Sequence, residues 1–135
     1  MPTLDDTAQL AKRLAATARP GDVFTLSGNL GAGKTAFARC FIQALSAEPV
    51  EVTSPTFTLL QTYPIPGGEI WHYDLYRIEH ESALVELGLD DALAHITLIE
   101  WPERLGYYHL PIAAALEFRL NDDGSREVMI EERRV

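Results

Sequence analysis

Cysteine and long apolar runs are scarce in this chain of 135 residues. The only cysteine, Cys40, excludes an internal disulfide, which fits a reducing cytoplasm. No segment approaches the ~20 consecutive apolar residues of a transmembrane helix, and residues 1–6 contain no basic stretch that leads into an apolar one. We therefore expect a cytoplasmic protein with no membrane partner.

Positive charge is scarce as well. The chain has 20 acidic and 11 basic residues, a formal net charge of −9, and its only lysines are Lys12 and Lys34. This balance argues against a broad basic face that would grip nucleic acid through its phosphates. Any role in RNA biology is therefore expected to be indirect. The apolar share of 47% is that of a globular protein, and the length suits one small domain over residues 1–135.

Hydrophobic periodicity in the first part of the chain alternates between helix and strand. A helix is expected after a cap at Asp5 or Asp6, because apolar side chains recur there at helical spacing until a proline-glycine pair. Residues 23–27 form a β-prone run, and residues 36–45 return to helical spacing. A short strand is then expected at Val50 to Thr53.

The middle of the chain predicts a hairpin followed by helix. Residues 57–63 and 70–76 are β-prone and flank a longer loop, Pro64 to Gly68. Residues 81–93 are rich in helix formers, and Gly88 is expected to divide them into two short helices.

The last part of the chain predicts a buried strand and a second hairpin. Residues 96–99 form a compact apolar run that ends at a carboxylate, Glu100. Residues 113–120 and 127–131 flank a turn at 121–124. Strands that alternate with helices, together with two hairpins, predict an α/β fold with a mixed sheet flanked by helices.

A phosphate-binding pattern, Gly-x-x-x-x-Gly-Lys-Thr, lies between the first predicted strand and the next helix, as Gly28-Asn29-Leu30-Gly31-Ala32-Gly33-Lys34-Thr35. Its glycines let backbone N–H groups wrap closely around phosphate at a helix N-terminus. Lys34 would reach the β- and γ-phosphates, and the Thr35 hydroxyl would ligate Mg²⁺. A glycine-rich turn without a ligand is the alternative. The strand–loop–helix context favours a nucleoside triphosphate site, with ATP and Mg²⁺, on a P-loop NTPase-like sheet.

Two acidic residues are candidates for the rest of the magnesium site. Glu100 directly follows an apolar strand in the Walker-B arrangement, in which the strand delivers a carboxylate beside the phosphate loop. Asp74 lies within the run His72-Tyr73-Asp74-Leu75-Tyr76-Arg77. Glu100 could equally be an ordinary acidic residue at a strand end, and Asp74 a solvated residue at an alternate position of its strand. The loop motif alone does not decide between direct ligand, water-mediated ligand and base for either residue.

Three further features stay ambiguous on the residues alone. Ser54-Pro55-Thr56-Phe57 occupies the place expected for a nucleotide-responsive switch, although Pro55 also suits a turn that initiates a strand. Trp101 and His72 are as compatible with packing as with ligand contact.

Taken in order, four motifs resemble those of the TsaE (formerly YjeE) family. They are Gly28 to Thr35, Ser54 to Phe57, His72 to Arg77 and Glu100-Trp101-Pro102-Glu103, and the resemblance runs from about Thr7 to Pro111. It implies a bacterial cytoplasmic ATPase that joins TsaB and TsaD in making threonylcarbamoyladenosine on tRNA. In that family TsaD transfers the threonylcarbamoyl group, the ATPase is needed for turnover, and tRNA is contacted only through the complex.

The resemblance also implies a role for each matching residue. Phosphate would be held by Lys34 and the loop amides of Asn29, Leu30, Gly31, Ala32 and Gly33. Mg²⁺ would be held by Thr35 and Glu100, while Asp74 would share the metal site or orient the attacking water. Ser54, Pro55, Thr56 and Phe57 would form the switch, Trp101 would lie near the nucleotide, and Thr7 would lie near the adenine.

Three other functions are compatible with the phosphate loop. A GTPase is unsupported, because the guanine-reading pattern Asn-Lys-x-Asp is missing. A small-molecule kinase would use the same loop, but Arg119 and Arg126 are too scattered to indicate a lid. A nucleotide-gated interaction module with little catalysis of its own overlaps with the family reading.

Overall fold

The chain folds into an α/β arrangement around one sheet. A computed structural model describes residues 4–28, 33–52, 60–76, 78, 86–105, 112–124 and 126–132. A short 3₁₀ helix, Pro102–Leu105, follows the fourth strand. In chain order the helices and strands are α1 Leu4–Thr17, β1 Val23–Gly28, α2 Lys34–Leu45, β2 Leu60–Ile65, β3 Gly68–Asp74, α3 Leu89–Ala92, β4 Ile96–Glu100, β5 Ile112–Leu120 and β6 Arg126–Glu132.

The sheet is mixed, as the sequence predicted. Its six described strands run in the order β2-β3-β4-β1-β5-β6. Strand β1 is parallel to β4 and β5, and β3 is parallel to β4. The two outer pairs, β2 with β3 and β5 with β6, are antiparallel hairpins. The four parallel strands therefore bring their carboxyl ends to one edge of the sheet.

Each face of the sheet is covered by a separate apolar layer. On one face, α1 and α2 pack over Phe24, Leu26 and Leu98. On the other face, Val23, Ile99 and Tyr73 pack with α3 and the 3₁₀ helix. Side chains alternate between the two faces along each strand, so every residue of β4 is buried. This explains why its sequence is a continuous apolar run.

The first helix begins earlier than predicted. Leu10, Ala11, Leu14 and Ala15 form its buried stripe, as their spacing indicated. However, α1 starts at Leu4, so the prediction of a cap at Asp5 or Asp6 was wrong. Acidic residues are favourable inside the first turn of a helix as well as at its cap, because the helix N-terminus carries partial positive charge. No helix in the described ranges is both long and apolar enough to cross a membrane.

The predicted strand at Val50 to Thr53 was also wrong over its described part, residues 50–52. The Val50 N–H donates to Gln43 Oε1 at 2.9 Å, and Gln43 Nε2 donates to the Glu48 carbonyl at 3.2 Å. These two bonds tie the segment to the end of α2. Val52 is buried in the core without joining the sheet.

The first hairpin is real, but its loop is shorter than predicted. Pro64 pairs with Glu69 and Ile65 with Gly68, so both strands extend into the expected loop and leave a turn of only Pro66-Gly67. Proline is tolerated at position 64 because β2 is an outer strand of the sheet. The second hairpin has the predicted position. Gly88 does separate Glu86 from α3, while residues 81–85 lie outside the described ranges.

Candidate functional site

Three parallel strands end side by side at the candidate site. Asp74, the last residue of β3, lies in register with Glu100, the last residue of β4. On the other side of β4, Glu100 lies in register with Leu26 of β1, two residues before the phosphate-loop motif begins. The sheet therefore brings both candidate carboxylates to the edge from which the loop leaves.

Gly28 closes β1 and opens the loop in a conformation that requires glycine. Its φ is +130°, and a Cβ at this position would lie 2.1 Å from the Phe118 carbonyl oxygen. Such close backbone approach leaves no room for any side chain. Gly33, also at positive φ, precedes α2. The intervening Asn29, Leu30, Gly31 and Ala32 lie outside the described residues.

The N-terminus of α2 faces this edge with its partial positive charge uncompensated. The helix has 12 residues, its first turn contains no acidic side chain, and no side-chain cap is formed by the described residues. Such an N-terminus carries N–H groups without helical partners, which favour an anion. Lys34 and the half-buried Thr35 are its first two residues.

Lys34 is buried to an unusual degree for a lysine. The residue is only 4% exposed, and its Nζ has no hydrogen-bond partner within the described part of the chain. Nζ lies 3.9 Å from the centroid of the Trp101 ring, a cation–π contact. Burial lowers the pKa of Lys34 below its ordinary value, and the nearby charges of Glu100, Asp74 and Glu103 oppose that shift. An unbonded, buried ammonium beside carboxylates fits a group whose partner is an anionic ligand.

The two carboxylates are at least as buried as the lysine, at 4% exposure for Asp74 and 3% for Glu100. Asp74 Oδ1 accepts a hydrogen bond from the Tyr76 N–H at 3.0 Å. Glu100 Oε2 lies 2.7 Å from His72 Nε2, a residue that is fully buried. Buried acids are costly unless they are paired or bind a cation, so this edge suits a divalent metal.

Trp101 adopts a backbone conformation that is uncommon for a large side chain, with φ of +62°. The backbone N–H of Trp101 donates to the Leu26 carbonyl at 3.3 Å, and the centroid of its ring lies 4.9 Å from that of the Tyr76 ring. The turn directs the indole towards Lys34. A cleft of about 380 Å³ opens beside it, lined by Ser27, Gly28, Trp101, Pro102, Glu103 and Glu117.

The structure thus brings together Lys34, Asp74, Glu100 and Trp101 among the sequence-predicted residues. Thr7 lies in α1 and is half-buried. Ser54, Pro55, Thr56 and Phe57 lie outside the described residues, so the switch stays a prediction.

Sequence reasoning assigned no role to His72 or Glu103. For His72 a signal existed: it lies two residues before Asp74 on a strand, and therefore on the same face of the sheet.

The donor set fits Mg²⁺ bound together with a nucleotide better than a metal held by protein alone. Among the described residues, no group of three or more His, Cys, Asp or Glu side chains is placed to hold a metal ion. Mg²⁺ commonly takes only one or two protein carboxylates and completes its shell with phosphate oxygens and water. Asp74, Glu100 and the Thr35 hydroxyl match that requirement.

Comparison with known proteins agrees with the resemblance of the motifs. A family model described as Threonylcarbamoyl adenosine biosynthesis protein TsaE matches residues 1–131. The tRNA threonylcarbamoyladenosine biosynthesis protein TsaE of Rickettsia bellii is 41% identical over 123 residues, 90% of this chain and 85% of that protein. Its namesake from Aquifex aeolicus is 35% identical over 127 residues, 93% of this chain and 89% of that protein.

A solved structure shares the fold as well. The crystal structure of Bacillus subtilis YdiB aligns with a TM-score of 0.72 at 31% identity, over 95% of this chain and 79% of that chain. The sequence match extends over nearly the whole chain, and the fold match covers 95% of it. The chain therefore belongs to the TsaE family.

Proposed function

We propose that this chain binds and hydrolyses ATP with Mg²⁺, and that hydrolysis supports repeated turnover of a TsaB–TsaD complex that makes threonylcarbamoyladenosine on tRNA. The observation that carries the nucleotide part is Lys34, whose buried Nζ has no hydrogen-bond partner among the described residues and lies next to the N-terminus of α2. Membership of the family supports the tRNA part. The cell compartment proposed is the cytoplasm.

Binding would depend on Lys34 and the backbone N–H groups of residues 29–33, which would hold the phosphates. Bound Mg²⁺ would neutralise the charge that develops on the phosphate oxygens during hydrolysis. The Thr35 hydroxyl and Glu100 would hold the metal. Asp74, in register with Glu100, would share the metal site or orient the attacking water.

The remaining assignments are contacts around the nucleotide. Trp101, already against the Lys34 ammonium, would lie beside the bound nucleotide. Thr7 of α1 would lie near the adenine, and Ser54 to Phe57 would respond to the phosphate state. TsaB and TsaD would raise an otherwise slow ATPase rate, because a small domain has little room for a complete catalytic set. Contact with tRNA would be made through that complex.

A reconstituted tRNA modification assay tests this function. Threonylcarbamoyladenosine formed per TsaD molecule is counted with no added chain, with the natural chain, and with Lys34→Ala or Lys12→Ala. Lys12 is the matched control, because it is the only other lysine and is exposed on α1. We expect multiple turnovers with the natural chain and with Lys12→Ala, and about one turnover or fewer with Lys34→Ala, since the phosphate-loop lysine contacts the β- and γ-phosphates.

ATP hydrolysis measured in the same reactions completes the test. Phosphate release should rise when TsaB and TsaD are present and should be lost in Lys34→Ala. Product formation that is the same with and without the chain would refute the role in tRNA modification, and is the result expected of a small-molecule kinase. Multiple turnover without ATP hydrolysis would identify a nucleotide-gated module instead.

A further inference from the structure

We propose that His72 is a positioning residue for Glu100, and that its imidazole holds the carboxylate in the orientation that binds Mg²⁺. The inference rests on the proposed function of Glu100 as a metal ligand. The observation behind it is the contact of 2.7 Å between His72 Nε2 and Glu100 Oε2, inside the sheet edge that carries the candidate site.

The sheet register explains how the contact arises. His72 and Asp74 lie two residues apart on β3 and so share one face of the sheet. Asp74 is in register with Glu100, and His72 is in register with Leu98 on the same neighbouring strand. Strand β3 therefore supplies the Asp74 carboxylate to the site. Two residues earlier on the same strand, the His72 ring contacts the Glu100 carboxylate of β4. Because His72 has 0% exposure, it can act on a ligand only through Glu100.

The hydrogen bond fixes one oxygen of the carboxylate. An ionised carboxylate carries no hydrogen, so Nε2 donates and Oε2 accepts. A bond of this kind, with one charged partner, is short and stronger than a neutral one. The contact involves Glu100 Oε2 and not Oε1. His72 thus restrains the side chain by one oxygen and leaves the second for a cation.

The other ring nitrogen makes no competing contact with the described residues. His72 Nδ1 is buried and has no hydrogen-bond partner within the described ranges. The contact with Glu100 is therefore made through Nε2 alone, and nothing in the described part of the chain pulls the other side of the ring away from that carboxylate.

The test compares two amides that differ in reach. His72→Gln places an amide N–H near the position of Nε2, whereas His72→Asn is one methylene shorter and cannot reach Glu100. Binding of a non-hydrolysable ATP analogue is measured by calorimetry across a Mg²⁺ titration and in EDTA. His72→Asn should lose about tenfold or more of the affinity gained from Mg²⁺, the usual effect of removing a group that orients a metal ligand. His72→Gln should retain most of that gain, and binding in EDTA should be unchanged in both.

A structural control lies on the same strand as Glu100. Thr97 is 1% exposed and its hydroxyl donates to the Ala92 carbonyl at 3.1 Å, and at three residues from Glu100 on the strand its side chain points to the opposite face of the sheet. Thr97→Val should lower the free energy of unfolding by about 1 kcal/mol and leave the Mg²⁺ gain unchanged. In a Glu100→Ala background, His72→Asn should cause no further loss, since its effect passes through that carboxylate.

The outcomes separate this inference from the proposed function. If Glu100→Ala loses the Mg²⁺ gain while His72→Asn keeps it, His72 has no positioning role and the metal assignment stands. Equal losses in His72→Gln and His72→Asn would overturn the role of the donor. If Glu100→Ala itself keeps the gain, the metal assignment fails and this inference fails with it.

Discussion

Lys34 carries a stability cost that its position in the site explains. A lysine ammonium loses hydration on burial, and the cation–π contact and nearby carboxylates do not fully compensate, since its pKa is lowered by burial in spite of them. Anionic phosphate would supply the missing partner. The residue is therefore expected to favour function at the expense of the stability of the ligand-free protein.

Replacing Lys34 with methionine should expose this trade-off. Lys34→Met keeps the aliphatic stem and removes the charge, so we expect the free energy of unfolding to rise by about 1 kcal/mol, which is ~4 °C in the melting temperature of a chain of this size. Thermal denaturation with and without Mg²⁺-ATP measures both effects. The nucleotide should stabilise the natural protein and not the variant. A variant that melts lower and still responds to nucleotide would contradict the interpretation.

The dependence on pH provides the control for this prediction. With a lowered folded-state pKa, the unfolded chain binds more protons than the folded one between that pKa and 10.5. The free energy of unfolding of the natural protein should therefore rise with pH through this window. The difference between its free energy of unfolding and that of Lys34→Met should narrow. Below this pH window, the difference in free energy of unfolding between the two proteins should be constant. Urea denaturation at a series of pH values measures this difference, and Lys12→Met, at an exposed position, is the matched control variant.

At the scale of elements, the turn from β1 into the phosphate loop depends on the contact of Gly28 with β5. Gly28 is in register with Phe118, and its missing side chain allows the two backbones to approach. The parallel pairing of β1 with β5 thus continues up to the loop. The same contact fixes where the loop leaves the sheet.

Gly28→Ala should show whether the close approach of β1 and β5 stabilises the fold beyond the backbone strain that any side chain causes at positive φ. A Cβ would meet the Phe118 carbonyl oxygen at 2.1 Å, so β1 and β5 must part, and we expect a loss of about 3 kcal/mol or more in the free energy of unfolding. Gly67→Ala is the matched control, because Gly67 also has positive φ but nothing lies within 4 Å of its Cβ position. It should cost only about 1 kcal/mol. Chemical denaturation of the two variants checks the difference, and similar losses would rule out the steric account.

Sequence patterns predicted the elements for which local preference and tertiary packing agree. The apolar run ending at Glu100 is a buried central strand, which its short length and β-branched residues favoured. Residues 50–52 include two β-branched valines, but the Gln43 side chain accepts a hydrogen bond from the Val50 N–H. Pro64 reads as a loop residue, yet an outer strand accepts it. In both cases a neighbour in space, which no local pattern contains, decides the conformation.

The candidate site divides in the same way. Lys34, Thr35 and the strand-end acids belong to local motifs, so the sequence predicts them directly. The contact between His72 and Glu100 joins residues 28 positions apart on different strands, and only the sheet register reveals it. The position of Trp101 against Lys34 likewise depends on a backbone turn at positive φ, which a tryptophan in the sequence does not predict.

At the scale of the whole molecule, charge is arranged against nucleic acid binding. The formal net charge is −9. Two arginines of the described surface are already paired with acids, Arg13 with Glu132 at 3.1 Å and Arg119 with Glu117 at 2.6 Å. Glu103 and Glu117 also line the cleft beside the candidate site. A tRNA phosphate chain that approached this cleft would meet these two carboxylates.

The chain alone is therefore expected to bind tRNA weakly, with a dissociation constant above about 100 μM at physiological salt, the weak limit of non-specific binding. Fluorescence anisotropy of labelled tRNA measures this with the chain alone, with TsaB and TsaD, and with all three. Tight tRNA binding should be seen whenever TsaB and TsaD are present. Adding this chain should change that binding only when ATP is also present, since the proposed coupling depends on the nucleotide. Micromolar binding by the chain alone, weakening steeply as salt is raised, would show that a local cationic surface outweighs the net charge. Weak binding together with ATP-dependent turnover would place the energy input and the RNA contact on different subunits.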